Sequence, residues 1–126
     1  MFRLLAISVV SLLAFSPPSS AITRDDFQVR STEDLLELCS VASTDVLSDA
    51  AINFCHGYVE GAFQHNQALT SGPEWKPIVC LPESRPSRND TVGGFVKWGR
   101  DHPQFKNDNA AESLFRFLVE TWPCKD

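Results

Sequence analysis

Apolar residues recur every three or four positions in four separate stretches of the chain, a spacing that places them on one face of a helix. The first stretch follows Ser31, and the Asp34 carboxylate stands three residues beyond that hydroxyl, as is typical of a capped helix start. The second stretch predicts a longer helix over roughly residues 47–69. No stretch alternates as a strand does, so the pattern predicts an all-α, four-helix domain.

The third stretch predicts a helix over roughly residues 91–100, with one apolar side formed by Val92, Phe95, Val96 and Gly99. Gly93 and Gly94 lie inside it, and each costs up to ~1 kcal/mol relative to alanine. The helix is expected to end near His102, because Pro103 disfavours helical geometry in the residue before it. We interpret His102 as a structural residue.

The fourth stretch begins after Asn109, which can form a capping box with Glu112, and Pro123 stops it. Its apolar residues recur at intervals of three and four: Ala111, Leu114, Phe115, Leu118 and Trp122. Phe117 points away from this side, and the pattern predicts that it is an ordinary exposed aromatic residue.

A long proline-rich loop, residues 70–89, separates the second and third predicted helices. Prolines lack the backbone N–H donor and block regular helix, so no helix or strand is predicted within this segment. Structureless segments of this length in compact domains are usually functional or disordered. Since Cys80 lies inside the loop and can hold it, we expect a function there.

The first residues indicate an export signal rather than a membrane anchor. Arg3 precedes an apolar run over residues 4–15, which is too short to span a bilayer. Ser19 and Ala21 then supply small residues at the two positions that signal peptidase reads by size. The pattern predicts cleavage before Ile22.

Removal of this signal peptide, residues 1–21, leaves residues 22–126 as a single domain. The whole chain of 126 residues carries 11 basic and 16 acidic residues, and the signal peptide contains one base and no acid. The mature net charge is therefore about −6, which makes nucleic acid and anionic membranes poor partners. We expect an exported protein that is soluble in the periplasm and not inserted in the membrane.

Four cysteines in a short exported chain indicate structural disulfides: Cys39, Cys55, Cys80 and Cys124. Three pairings are open. Cys39 with Cys55 is favoured, because both face the apolar side of consecutive helices. That leaves Cys80 with Cys124, which ties the long loop to the end of the fourth helix. No Cys-x-x-Cys spacing supports a zinc or redox site instead.

Catalytic and metal-binding patterns are not visible in the sequence. His56 and His65 lie nine residues apart, on opposite sides of the second helix, and so cannot share a metal ion. No nucleophile elbow, phosphate loop or zinc-protease pattern occurs. We therefore predict no catalytic residue, no metal and no cofactor.

Gly57 and Gly61 form a Gly-x-x-x-Gly pattern away from the apolar side of the second helix. A smooth face of this kind lets another helix approach closely. We predict that a helix of the same chain packs there, and the alternative is an interface with a second subunit or a partner.

Several ordered motifs occur along the mature chain, and together they resemble one family. They are Leu35-Leu36-Glu37-Leu38-Cys39, Cys55-His56-Gly57-Tyr58-Val59-Glu60-Gly61, Cys80-Leu81-Pro82, His102-Pro103 and Trp122-Pro123-Cys124. The chain resembles the Rap/Tai group of bacterial immunity proteins over nearly its whole mature length. The motif residues shared with the family are scaffold positions. Besides the four cysteines they are Gly57, Tyr58, Gly61, Pro82, His102, Pro103 and Pro123.

The resemblance implies a small, helical, disulfide-bonded periplasmic protein with no enzymatic activity. Members of the group bind and block a peptidoglycan amidase delivered by the type VI secretion system of a neighbouring or sister cell. Some members are homodimers, which makes a homodimer an expectation here as well. An alternative of another class is a small helical acid-stress chaperone, which binds clients through apolar surface exposed when carboxylates are protonated.

An inhibitor of this kind needs a rigid, protruding segment that enters a cleft without an ordering cost, and the long loop fits that role. Trp75 is an aromatic anchor of the type enriched in binding hot spots. The polar residues Glu74, Lys76 and Glu83 can hydrogen-bond within an amidase cleft. These four residues are the predicted toxin contacts.

Overall fold

The computed structural model describes residues 21–125. Its four helices are α1 (Thr32–Cys39), α2 (Ser48–Leu69), α3 (Arg88–Asp101) and α4 (Ala110–Thr121), with 3₁₀ turns at Arg24–Phe27 and Pro103–Phe105. The only strand-like backbone pairing in this part of the chain is an isolated antiparallel bridge between Val79 and Pro123. The all-α, four-helix prediction is confirmed. The predicted signal peptide, apart from Ala21, lies outside the described residues.

Side-chain caps set the start of three helices. Ser31 Oγ accepts the Asp34 N–H at 3.2 Å while the Asp34 carboxylate accepts the Ser31 N–H at 3.0 Å, so the predicted capping box of α1 is confirmed. Asn109 Oδ1 accepts two N–H groups of the first turn of α4, as predicted. Ser87 Oγ accepts the Asp90 N–H at 3.1 Å, and α3 therefore begins three residues before the predicted start.

The capping box predicted for α4 forms only in part. Asn109 supplies the cap, but the Glu112 carboxylate accepts a hydrogen bond from Arg116, one turn along the helix, instead of returning to the Asn109 N–H. The exposed ion pair with Arg116 adds only a few tenths of a kcal/mol to a helix. The start of α4 therefore depends on the single Asn109 side chain.

The helices pack around one apolar core in which α1 contacts each of the other three helices. Phe117 belongs to this core: only 4% of its surface is exposed, and its ring lies 5.9 Å from that of Phe95 and 6.5 Å from that of Trp98. The prediction that Phe117 is exposed is wrong. The physical reason is that α4 is covered by both α1 and α3, which buries a face rotated from the predicted one.

Two glycines of α3 allow this close packing. A Cβ at Gly94 would lie 3.0 Å from Phe117 Cζ, and a Cβ at Gly99 would lie 2.6 Å from Leu36 Cδ1. These glycines let a ring and a leucine of neighbouring helices approach the backbone of α3. Gly93 is different, because a Cβ there would meet nothing within 4 Å.

Gly93→Ala is expected to raise the free energy of unfolding by about 0.5–1 kcal/mol, since alanine is the better helix former and space is free. Gly94→Ala is the matched control: it gains the same propensity but presses on Phe117, so its net gain should be smaller or negative. Urea unfolding followed by circular dichroism measures both. Equal gains for the two variants would show that the Phe117 ring moves away without cost.

Both predicted disulfides are present. Cys39 and Cys55 join α1 to α2 with a Cα–Cα distance of 5.3 Å, and both residues are buried. Cys80 and Cys124 join the long loop to the short segment that follows α4, with a Cα–Cα distance of 4.8 Å. The first bond lies in the core, whereas Cys80 is exposed.

Candidate functional site

The loop between α2 and α3 is fixed to the body of the protein at one point near its middle. Val79 is buried at 6% exposure and bridges to Pro123, and the Cys80 N–H donates to the Trp122 carbonyl at 2.9 Å. The Cys80–Cys124 disulfide adds a covalent link at the same place. This anchor divides the loop into two halves.

The first half is a short protruding segment, residues 71–78, which we call the loop tip. All residues from Pro73 to Ile78 are exposed. The Ser71 hydroxyl donates to the Ala68 carbonyl at 2.9 Å, so the tip leaves α2 in a fixed direction. A turn follows, in which the Trp75 N–H donates to the Gly72 carbonyl at 3.3 Å. The tip therefore projects between two fixed ends.

Three of the four predicted contact residues lie together on the loop tip. Trp75 has 67% of its surface exposed, and Glu74 and Lys76 are its exposed neighbours. Neither of these two charged side chains forms an ion pair within residues 21–125, so both are free to pair with another molecule. Glu83 is also exposed but lies beyond the anchor, in the second half of the loop. Glu83 is therefore not part of the loop tip.

Two apolar residues that the sequence reasoning missed are exposed at the two ends of the loop tip. Leu69 ends α2 with 60% of its surface exposed, and Ile78 ends the loop tip with 47% exposed. The described residues contain one other large exposed aliphatic side chain, Val46, which lies before α2. The sequence did contain a signal for them, because apolar residues at the ends of a segment without regular secondary structure can form an exposed binding surface.

The second half of the loop covers a cleft of about 100 Å³. Its walls come from α2, the loop, α3 and α4, and the lining includes His56, Glu60, Arg85, Arg88, Leu118 and Trp122. Pockets for small ligands usually measure about 300–1,000 Å³, so this cleft is too small for an ordinary substrate site. His56 Nε2 is buried without a hydrogen-bond partner among the described residues.

Comparison with known protein families shows the family to which the chain belongs. A family model described as Rap1a immunity proteins matches residues 31–124, a segment that contains all four helices and all four cysteines. The chain belongs to this family. No curated protein and no solved structure matches it. Membership gives the protein a role in toxin immunity and implies an inhibitor rather than an enzyme.

Within the described residues no group of acidic, histidine and cysteine side chains is arranged to hold a metal ion. None of the helices in the described part combines the length and the hydropathy needed to cross a membrane.

The Gly57 and Gly61 face of α2 corrects one prediction for this family member. A Cβ on either glycine would meet nothing within 4 Å in the described part of the chain, and both residues are exposed. The prediction that another helix of the same chain packs there is wrong, because the partners of α2 contact its opposite side through Ala51, Cys55 and Val59. The alternative, an interface with a second molecule, stays a prediction.

The remaining motif residues of this Rap1a protein pack within the scaffold. Tyr58 packs on Phe54 with ring centroids 6.2 Å apart, and burial raises the pKa of the Tyr58 hydroxyl above its ordinary value. The His102 ring stacks on Trp98 at 4.5 Å, with Nδ1 2.8 Å from the Trp98 carbonyl oxygen. Pro103 then starts a 3₁₀ turn. None of these side chains belongs to the loop tip.

Of two further motif prolines, one belongs to the anchor and the other lies close to it along the chain. Pro123 forms the bridge with Val79, directly before Cys124. Pro82 is exposed and follows Leu81, which packs against the core. Because proline restricts its own backbone, these residues limit the paths of the two chains that the disulfide joins.

Proposed function

We propose that this protein is a periplasmic immunity protein that binds and inhibits a peptidoglycan amidase toxin of a type VI secretion system. It protects the cell against its own toxin or that of a sister cell. The family match supports the immunity role. Two disulfides and the predicted signal peptide favour an oxidising compartment outside the cytoplasm, where peptidoglycan and its amidases are found.

The observation that carries the proposal is the exposed loop tip with both ends fixed. A segment held by the α2 end and by the Cys80 anchor loses little conformational entropy when it enters a cleft. Trp75 at its centre offers a large aromatic surface, and such residues commonly supply much of the binding energy. Glu74 and Lys76 beside it provide charged groups for the rim of the contact.

Trp75→Ala is expected to weaken binding to the cognate amidase by about 2 kcal/mol or more, which is roughly a 30-fold rise in Kd. The melting temperature should change little, because 67% of the Trp75 surface is exposed and Trp75 is not part of the core. Isothermal titration calorimetry with the cognate amidase measures the affinity, and thermal unfolding measures the stability.

Val46→Ala is the matched control for this experiment, since Val46 is 93% exposed and lies before α2 rather than on the loop tip. It should leave both affinity and stability unchanged. Equal affinity for wild type and the Trp75 variant, or unfolding of that variant, would overturn the role given to Trp75.

The same purified protein separates the immunity role from that of an acid-stress chaperone. An immunity protein binds one amidase tightly at neutral pH and blocks its hydrolysis of peptidoglycan. A chaperone suppresses the aggregation of unrelated proteins when the pH is lowered. General suppression of aggregation without inhibition of an amidase would reject the proposed function and support the alternative.

A further inference from the structure

The backbone nitrogen of Ile22 makes a contact that the inhibitory function does not require. It donates a hydrogen bond to Asp45 Oδ2 at 2.8 Å. The other carboxylate oxygen, Oδ1, accepts the Leu47 N–H at 2.8 Å, which holds the Asp45 side chain in place. A residue near the start of the described chain is therefore bound to the connection between α1 and α2.

The chain that follows Ile22 is part of the fold. The Thr23 N–H and hydroxyl both donate to Asp26 Oδ2, at 2.6 and 2.9 Å, and this closes the first turn of the 3₁₀ segment. The Phe27 ring then meets the edge of the Phe54 ring on α2, with centroids 5.5 Å apart. The position of Ile22 is therefore set by contacts on both sides of it.

The surroundings of the Ile22 nitrogen are acidic. It lies in an open hollow of about 420 Å³ lined by Ala21, Ile22, Glu37, Ser40, Val41, Ala42, Thr44 and Asp45. Two of these side chains are carboxylates, and none of these lining residues is basic. A neutral amide N–H gives these charges no counterion, whereas an ammonium group at the same position would.

We infer that Asp45 is the binding site of the mature N-terminus. Hydrolysis of the Ala21–Ile22 bond by a signal peptidase adds water across the amide, leaving a carboxylate on Ala21 and a free amine on Ile22. That amine takes up a proton and forms an ion pair with Asp45. The inference goes beyond the inhibitory role and does not depend on any toxin, but it uses the cleavage position predicted from Ser19 and Ala21.

The ion pair has a defined pH range. The N–H groups of Leu47 and then Ile22 already hold the pKa of the Asp45 carboxyl below its ordinary value, so Asp45 is ionised at neutral pH. Glu37 of α1 faces the same hollow, and its pKa is raised by burial and by the neighbouring carboxylates of Glu33 and Asp26. An α-ammonium group ordinarily titrates near pH 7.7–8.0, and a carboxylate partner raises that value.

The sign of the effect follows from these shifts. Because the ammonium group is favoured in the folded state, its stabilising effect is complete below about pH 7.5 and is lost as the pH rises through its folded pKa. Because the Asp45 carboxylate is favoured in the folded state, the effect is also lost as the pH falls through the lowered pKa of Asp45. The stabilisation is therefore expected between these limits.

The test compares the disulfide-bonded chain that begins at Ile22 with the same chain acetylated on Ile22, which keeps the N–H donor and removes the charge. The free form should melt a few degrees higher at about pH 6.5, and the difference should vanish at about pH 10. It should also vanish in Asp45→Asn at both pH values. Equal melting temperatures at about pH 6.5, or a difference that persists in the Asn variant, would overturn the inference.

Intact-mass analysis of the full chain after export from a bacterial host provides an independent measurement. A mature protein that begins at Ile22 supports the inference. A mature protein that begins at any other residue overturns it, because its terminal charge would then lie away from Asp45. Neither result depends on whether an amidase is the partner.

Discussion

Phe117→Ala is expected to lower the free energy of unfolding by about 3–5 kcal/mol, the range typical of a buried phenylalanine. The ring is 4% exposed and contacts Phe95, Trp98 and Trp122, with centroids 5.9, 6.5 and 6.0 Å away. Removal leaves a cavity between α3 and α4 that the rigid Gly94 backbone cannot fill. Urea unfolding of the oxidised protein, followed by far-UV circular dichroism, measures the loss.

Phe115→Ala is the matched control on the same helix. Phe115 is partly buried at the edge of the core, so its replacement should cost clearly less, under about 2 kcal/mol. The two variants also discriminate between two assignments of the buried face of α4, because the apolar pattern favours Phe115 and the structure favours Phe117. A larger loss at Phe115 than at Phe117 would contradict the packing described here.

The error in the sequence pattern of α4 has a specific physical cause. The buried positions are Ala110, Ser113, Leu114, Phe117 and Leu118, which is a regular helical stripe interrupted by one polar residue. Ser113 is fully buried because its hydroxyl accepts a hydrogen bond from Thr32 on α1 at 2.7 Å. Apolar spacing cannot detect a serine whose partner lies 81 residues away, so it selected the neighbouring stripe.

Local signals predicted the parts of the fold that depend on neighbouring residues. The caps at Ser31 and Asn109 are contacts within one helical turn, and both are present. The glycines of α3 show the limit of such signals. Their cost to the helix is visible in the sequence, but the reason to keep Gly94 and Gly99 lies in the side chains of other helices that pack on them.

The candidate site likewise combines features that the local sequence predicts with features that depend on distant residues. Prolines and a tryptophan predicted a loop with an exposed aromatic residue, and Trp75 is exposed as that pattern requires. The anchor at Val79 was not predictable, since a single backbone bridge to Pro123 leaves no periodic pattern in the sequence. Glu83 lies beyond that anchor along the chain, whereas Glu74, Trp75 and Lys76 are consecutive exposed residues of the loop tip and form the central group of candidate contacts.

Cys80→Ala combined with Cys124→Ala is expected to lower the free energy of unfolding by about 4 kcal/mol, as chain entropy predicts for a cross-link between residues 44 apart. Cys80 is exposed, so alanine leaves no core cavity there and the loss reports mainly the cross-link. Urea unfolding without reductant measures it. The same variant should bind the amidase more weakly, because the loop tip then loses one of its fixed ends and must be ordered on binding.

The Cys39→Ala and Cys55→Ala pair is the control, with an expected loss of about 3 kcal/mol for residues 16 apart plus a contribution from the buried site. This second variant should be less stable than the wild type. While it is folded, however, it should bind the amidase with wild-type affinity, because its loop anchor is intact. A loss below about 1 kcal/mol for the Cys80 and Cys124 pair, with unchanged affinity, would show that the Val79 bridge and the Cys80 N–H hold the loop without the covalent bond.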